Sequence, residues 1–175
     1  MPVFSLFTYI GSEDDKVIMI GTKSYELAKT AILYDANGNV VAVGATDVMS
    51  ALTKGDVVSK FAEKNGVISS ITAKALKSVE ADLDAAKTAV EGTTYTLTND
   101  ATADSAKTTV EGVVNGLDAV KDKGIAATVT GTFIPSTSAE GETAAKEGSY
   151  KFTVTLAKAG QTVTTDEITA VVPAE

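Results

Sequence analysis

Apolar and polar positions alternate without a break from Ser149 to Leu156. Tyr150, Phe152, Val154 and Leu156 fall on one side, Ser149, Lys151, Thr153 and Thr155 on the other. A period of two marks a half-buried antiparallel strand with one solvated face. Ile125–Phe133 repeats the pattern with Thr128, Thr130 and Thr132 outward. Gln161–Thr165 and Ile168–Val172 read as returning strands, interrupted at Asp166-Glu167 by a bulge or second turn. The loop 135–148 is polar and long, which predicts exposure. The middle of the chain has the other period. Leu76, Val79, Leu83, Ala86 and Val90 recur at spacings of three and four, one apolar stripe of a helix. Ser70 or Thr72 is its expected cap, and the helix is expected to run to Glu91. A short extended piece around Tyr95 and Leu97 follows. A second helix begins after Thr102, is weakened by Gly112 and Asn115-Gly116, and is closed by Gly124.

The first third is less regular. Val3–Ile10 and Lys16–Ile20 read as strands. Ala31–Tyr34 and Val40–Val43 flank Asn37-Gly38, a strong hairpin signal because Gly enters the left-handed region freely and Asn tolerates it. Ser24–Lys29 is expected to form one helical turn and Thr46–Leu52 a short helix capped by Thr46. Asp56 is expected to cap a helix over Val57–Lys64 that stops at Asn65-Gly66. The expected fold class is therefore α+β. It has an N-terminal mixed β domain for anchoring and oligomerisation (1–70), then a helical linker plus an antiparallel β surface module (71–175), the module being either Ig-like or a small sheet packed on helices.

Composition changes this picture mainly by what it removes. Fifteen Lys face 23 Asp and Glu, for a net charge of −8, and there is no Arg, His, Cys or Trp. Without His there is no imidazole base and no Ser-His-Asp triad. Without His or Cys there is no ordinary zinc, haem or iron–sulfur site. No catalytic, cofactor-binding or metal residue is assigned, no cofactor is expected, and the reading is non-enzymatic. The net charge and the absence of a basic stripe exclude nucleic acid and anionic membranes as expected partners. Asp35, Asn37 and Asn39 imitate the start of an EF-hand loop, but glycine stands fourth instead of sixth and Thr46 takes the twelfth place, so a hairpin turn is the preferred reading. Glu13-Asp14-Asp15 and Glu140/Glu142 read as solvated loops. Lys151 lies on the polar side of its strand and so is a poor candidate for an isopeptide crosslink. Phe4, Leu6, Phe7, Tyr9 and Ile10 are apolar toward both faces of their segment, as in a central buried strand or an oligomer contact. They are the candidate interface for a homo-oligomer.

A longer pattern spans residues 80–172. It runs from Ala85-Ala86-Lys87-Thr88-Ala89-Val90-Glu91-Gly92 and Tyr95 through Ala106-Lys107-Thr108-Thr109-Val110-Glu111 and Ala127-Thr128-Val129-Thr130. It ends with Gly148–Lys158 and the returning Gln161–Ala170. This resembles a repeat module of clostridial and other Gram-positive cell-surface proteins associated with S-layers. The lead Ser138–Glu147 has one glycine, Gly141, where the module's lead is Gly-rich, and Ala159-Gly160 replaces its Gly-Gly turn. The resemblance implies surface display and carries no catalytic residues. The N-terminus has no positive region, unlike a signal peptide. A structural component of a phage virion surface (capsid decoration, head-fibre or tail-surface protein) is therefore the leading expectation. Its expected partners are itself and other virion or cell-wall structural proteins, with a host surface glycan as a further candidate. The alternative is a repeat segment of an extracellular, cell-wall or S-layer adhesin.

Overall fold

The computed structural model describes residues 5–6, 16–140 and 144–174. The fold is α+β, and the chain divides into two compact units, 1–81 with 159–161, and 82–158 with 162–175.

The first unit is built on a six-stranded mixed sheet. Its strands are β1 (Ser5–Leu6), β2 (Val17–Ile20), β3 (Lys23–Tyr34), β4 (Val40–Val43), β5 (Val57–Lys64) and β6 (Val67–Ala75). The order is β1-β5-β6-β3-β2, with β4 also pairing to β3. β3 and β6 run parallel, and the other pairs are antiparallel. Helix α1 (Ala45–Ala51) packs on β3 and β4. Ile18, Leu33, Val48, Ile68 and Ile71 form the centre of the core.

Several local expectations fail here for a common reason. Ser24–Lys29 is not a helical turn: it lies inside the twelve-residue strand β3. Val57–Lys64 is strand β5, not a helix, and Asn65-Gly66 turns it into β6 with both residues at positive φ. Residues 67–75 are likewise strand, so neither Ser70 nor Thr72 caps the central helix. In each case a long-range ladder outweighs a weak helical preference. Thr46 is no cap either: α1 starts at Ala45, and its N-cap position is Gly44. The Val40 hairpin forms, but with only Gly38 left-handed at the turn (φ 84°). Gly38 N–H donates to Asp35 O at 3.1 Å, closing a turn whose last residue is the glycine.

Helix α2 (Lys77–Glu91) carries the foreseen stripe. Leu76, Val79, Leu83, Ala86 and Val90 are all buried. The boundary between the units falls within this helix.

The second unit holds α3 (Ala103–Gly116), α4 (Asp118–Lys121) and a four-stranded antiparallel sheet. Thr102 and Ser105 form a capping box at the start of α3. The strands are β7 (Ala126–Ile134), β8 (Gly148–Lys158), β9 (Gln161–Thr164) and β10 (Ile168–Val172). β7 pairs along β8 on one side, and β9 and β10 share the other. Helix α3 packs on β7 and β8, so of the two architectures expected the small sheet on helices is the one adopted. Tyr95, Tyr150 and Phe152 build its aromatic core, with ring centroids 5.0 and 5.4 Å apart. Between β9 and β10 the ladder is patched by buried Thr165. Its N–H donates to Val154 O, and its Oγ1 accepts the Val154 N–H at 2.9 Å. The segment after β7 is less of a plain loop than expected: Thr137 and Lys146 exchange two backbone hydrogen bonds.

Candidate functional site

Buried carboxylates are the first place to look for chemistry, because burial is how proteins perturb acids and bases. Asp35 and Asp56 are the buried carboxylates among the described residues, and both are occupied by backbone. Asp35 Oδ1 accepts the N–H groups of Asn37 and Asn39 at 2.8 and 2.9 Å, and its Oδ2 accepts from Asn39 Nδ2 at 3.2 Å. The residues that imitate a calcium loop thus form an Asx-type turn. Asp56 Oδ2 accepts the Thr53 N–H at 2.7 Å and Oδ1 the Lys77 N–H at 2.6 Å. It does cap a helix, but α2, twenty-one residues on, not the segment that follows it. α2 opens after apolar Leu76, which offers no cap of its own. The Leu76 N–H goes to Gln161 Oε1 at 2.8 Å.

The second unit carries two ion-paired groups. Asp82 Oδ2 lies 2.7 Å from Lys158 Nζ, and its Oδ1 lies 3.2 Å from Lys123 Nζ. The Lys158 hydrogen bond is the main cause that holds the Asp82 carboxyl below its ordinary 3.8, against a smaller opposing effect of desolvation. Glu91 accepts from Lys87 and from the Asp166 N–H. The Lys87 contact lowers the Glu91 pKa and raises that of Lys87. Burial pushes the Tyr95 and Tyr150 phenols up. Tyr95 OH donates to Val90 O at 3.0 Å, a structural tie. No group of three or more metal-ligating side chains occurs among the described residues. No described helix is long and apolar enough to cross a membrane.

Surfaces offer more than pockets. In register across β7 and β8 stand Thr128 with Thr155, Thr130 with Thr153, and Thr132 with Lys151. Thr164 extends the row on β9, its hydroxyl 3.2 Å from that of Thr155. The one charge among these side chains, Lys151, lies 3.8 Å from Glu167 Oε1. The result is a hydroxyl-bearing, nearly neutral sheet face. At β10 the segment around Thr96 runs parallel, bridged at Val171, over a groove of about 520 Å³ lined by threonines together with Glu91, Leu97, Ile168 and Pro173.

Of the candidate interface residues, Phe4, Phe7, Tyr9 and Ile10 lie outside the described residues. Leu6 belongs to β1, which ends the strand order and pairs Leu6 with Val57. Glu13-Asp14-Asp15 and Glu142 also lie outside, and Glu140 is exposed. Sequence reasoning missed β4 as a surface feature. Val40, Val41 and Val43 are 57, 42 and 55% exposed, three of the five large exposed apolar side chains described. The signal was present as Val-Val-Ala-Val without a charged neighbour.

These features define a two-unit α+β protein whose two buried described carboxylates, Asp35 and Asp56, hold a turn and a helix start. The chain matches no protein-family model, and no curated protein or solved structure is significantly similar to it.

Proposed function

We propose that this chain is a non-enzymatic structural protein that displays its C-terminal unit at an extracellular surface. The observation that carries the reading is an overlap. The stretch that resembles a Gram-positive cell-surface module, roughly residues 80–172, overlaps most of the compact unit 82–158 with 162–175. A resemblance that falls largely within one compact unit supports a displayed module. The engagement of Asp35 and Asp56 by backbone N–H groups supports a structural use for these residues. Because the module that this stretch resembles is a wall-associated one, the cell-wall or S-layer setting is the first reading. Display on the virion surface of a phage with a Gram-positive host is the second, favoured by the small, cysteine-free, His-free composition.

A neutral wall glycan is the partner that suits the threonine face, since a chain of net charge −8 repels polyanions. The test is co-sedimentation of the full chain with purified Gram-positive cell walls, comparing wild type with the Thr130→Glu/Thr153→Glu double variant. Wall binding that the variant loses is the expected result. Failure to sediment with walls, or equal sedimentation of the variant, refutes the glycan-facing display.

A further inference from the structure

The β4 edge is the least explained surface of the molecule. A strand at the side of a sheet presents unpaired backbone groups, and proteins ordinarily blunt such edges with Lys, Pro or charge. β4 pairs with β3 alone among the described residues, and it has none of these devices. From Ala36 to Thr46, between Asp35 and Asp47, no side chain is charged, in a chain that is 22% charged overall. Three valines project from it, and next to it runs a groove of about 550 Å³ bounded on the α1 side by Asp47, Ser50 and Ala51. The small side chains Ser50 and Ala51 leave room there for apolar side chains from outside.

We infer that β4 is a pairing edge for a second copy of this chain, joined antiparallel about a two-fold axis. The strand is self-complementary. Centred on Ala42, such a pairing sets Val41 against the partner copy's Val43 and Ala42 against its own counterpart, apolar opposite apolar with each opposed pair on one face of the sheet. Two identical chains of net charge −8 repel one another, so an interface between them has to lie where charge is absent, and this edge is such a place. A foreign polypeptide would need no such neutrality. The interface is small. A stable dimer buries roughly 800 Å² per partner, and a four-residue edge falls short of that. The dimer is therefore concentration-dependent and fast to exchange, and it strengthens with salt as the mutual repulsion is screened.

Sedimentation velocity on the full chain from micromolar to millimolar concentration tests this. The comparison is wild type against Val41→Lys/Val43→Lys, with Val171→Lys, a half-exposed valine of the other unit, as control. Circular dichroism and unfolding curves verify that each variant folds; these side chains are exposed, so little change is expected. Wild type and the control are expected to self-associate alike, and the β4 variant at least about tenfold more weakly, since it sets cations opposite cations across the axis. A wild-type monomer throughout the range overturns the inference and leaves the edge to another polypeptide. Association that survives the β4 substitutions, or that the control weakens equally, overturns it as well.

Discussion

Replacing Asp56 removes a carboxylate that ties together two places far apart in sequence. Its Oδ2 holds the Thr53 N–H at 2.7 Å and its Oδ1 the first N–H of α2, that of Lys77, at 2.6 Å. The residue is 1% exposed, so water cannot readily substitute. Each bond to a charged acceptor contributes about 1.5–3 kcal/mol, and loss of a helix cap costs about 0.5–2 kcal/mol. Removing the carboxylate also relieves the cost of burying it, which offsets part of the loss. Asp56→Ala is therefore expected to destabilise the first unit by about 2–4 kcal/mol. Asp56→Asn keeps one acceptor oxygen but turns an NH₂ toward a second donor, and should cost roughly half as much. With a urea m-value of about 1.5 kcal/mol/M, 3 kcal/mol lowers the midpoint by about 2 M. Urea unfolding followed by circular dichroism measures the shift. Hydrogen exchange at the Thr53 and Lys77 amides gives the specific readout: both should lose protection before their neighbours do. A loss under about 0.5 kcal/mol, or unchanged protection at those two amides, would refute the capping argument.

Gly131 allows two strands and an aromatic ring to approach closely. A Cβ there would meet Lys151 O at 2.5 Å, Phe152 Cβ at 2.7 Å and Tyr150 Cε2 at 2.9 Å. Gly131→Ala should therefore cost about 1–3 kcal/mol, seen as a lower Tm and a changed near-ultraviolet tyrosine signal. Asp82 governs an acid-limb effect whose sign follows from its lowered pKa. The folded chain releases this proton more readily than the unfolded chain, so the Lys158 and Lys123 pairs stabilise fully above about pH 4 and fade as pH falls through the lower folded value. Asp82→Asn should lower Tm at pH 7, and the difference from wild type should shrink on acidification below pH 4. A difference independent of pH would exclude the ion pairs as its cause.

Signals carried within a few residues were legible. The alternation of Ser149–Leu156 yielded β8 with Tyr150, Phe152, Val154 and Leu156 buried, and the spacing from Leu76 to Val90 yielded the buried stripe of α2. Both periods persist long enough to outweigh local noise. The hairpin at Asn37-Gly38 was legible because glycine is suited to the left-handed position that this turn requires. The absence of Arg, His and Cys narrowed the chemistry before any fold was known.

What depended on partners distant in sequence could be read only from the tertiary structure. Val57–Lys64, with Val57, Val58 and Phe61, fits a helical face as well as a strand. It is a strand because β6 and β1 lie beside it. Asp56 has the composition of a cap, but nothing near it says that the helix it caps begins at Lys77. Thr165 is one threonine among 25 until the break between β9 and β10 turns its hydroxyl to the Val154 N–H. The pairing of Asp82 with Lys123 and Lys158 likewise joins three distant stretches of chain. Periodicity determines which face of an element is apolar. Which elements meet, and that β4 pairs with β3 alone among the described residues, follows from strand pairing and packing between residues tens of positions apart, where local preferences of a few tenths of a kcal/mol are overruled.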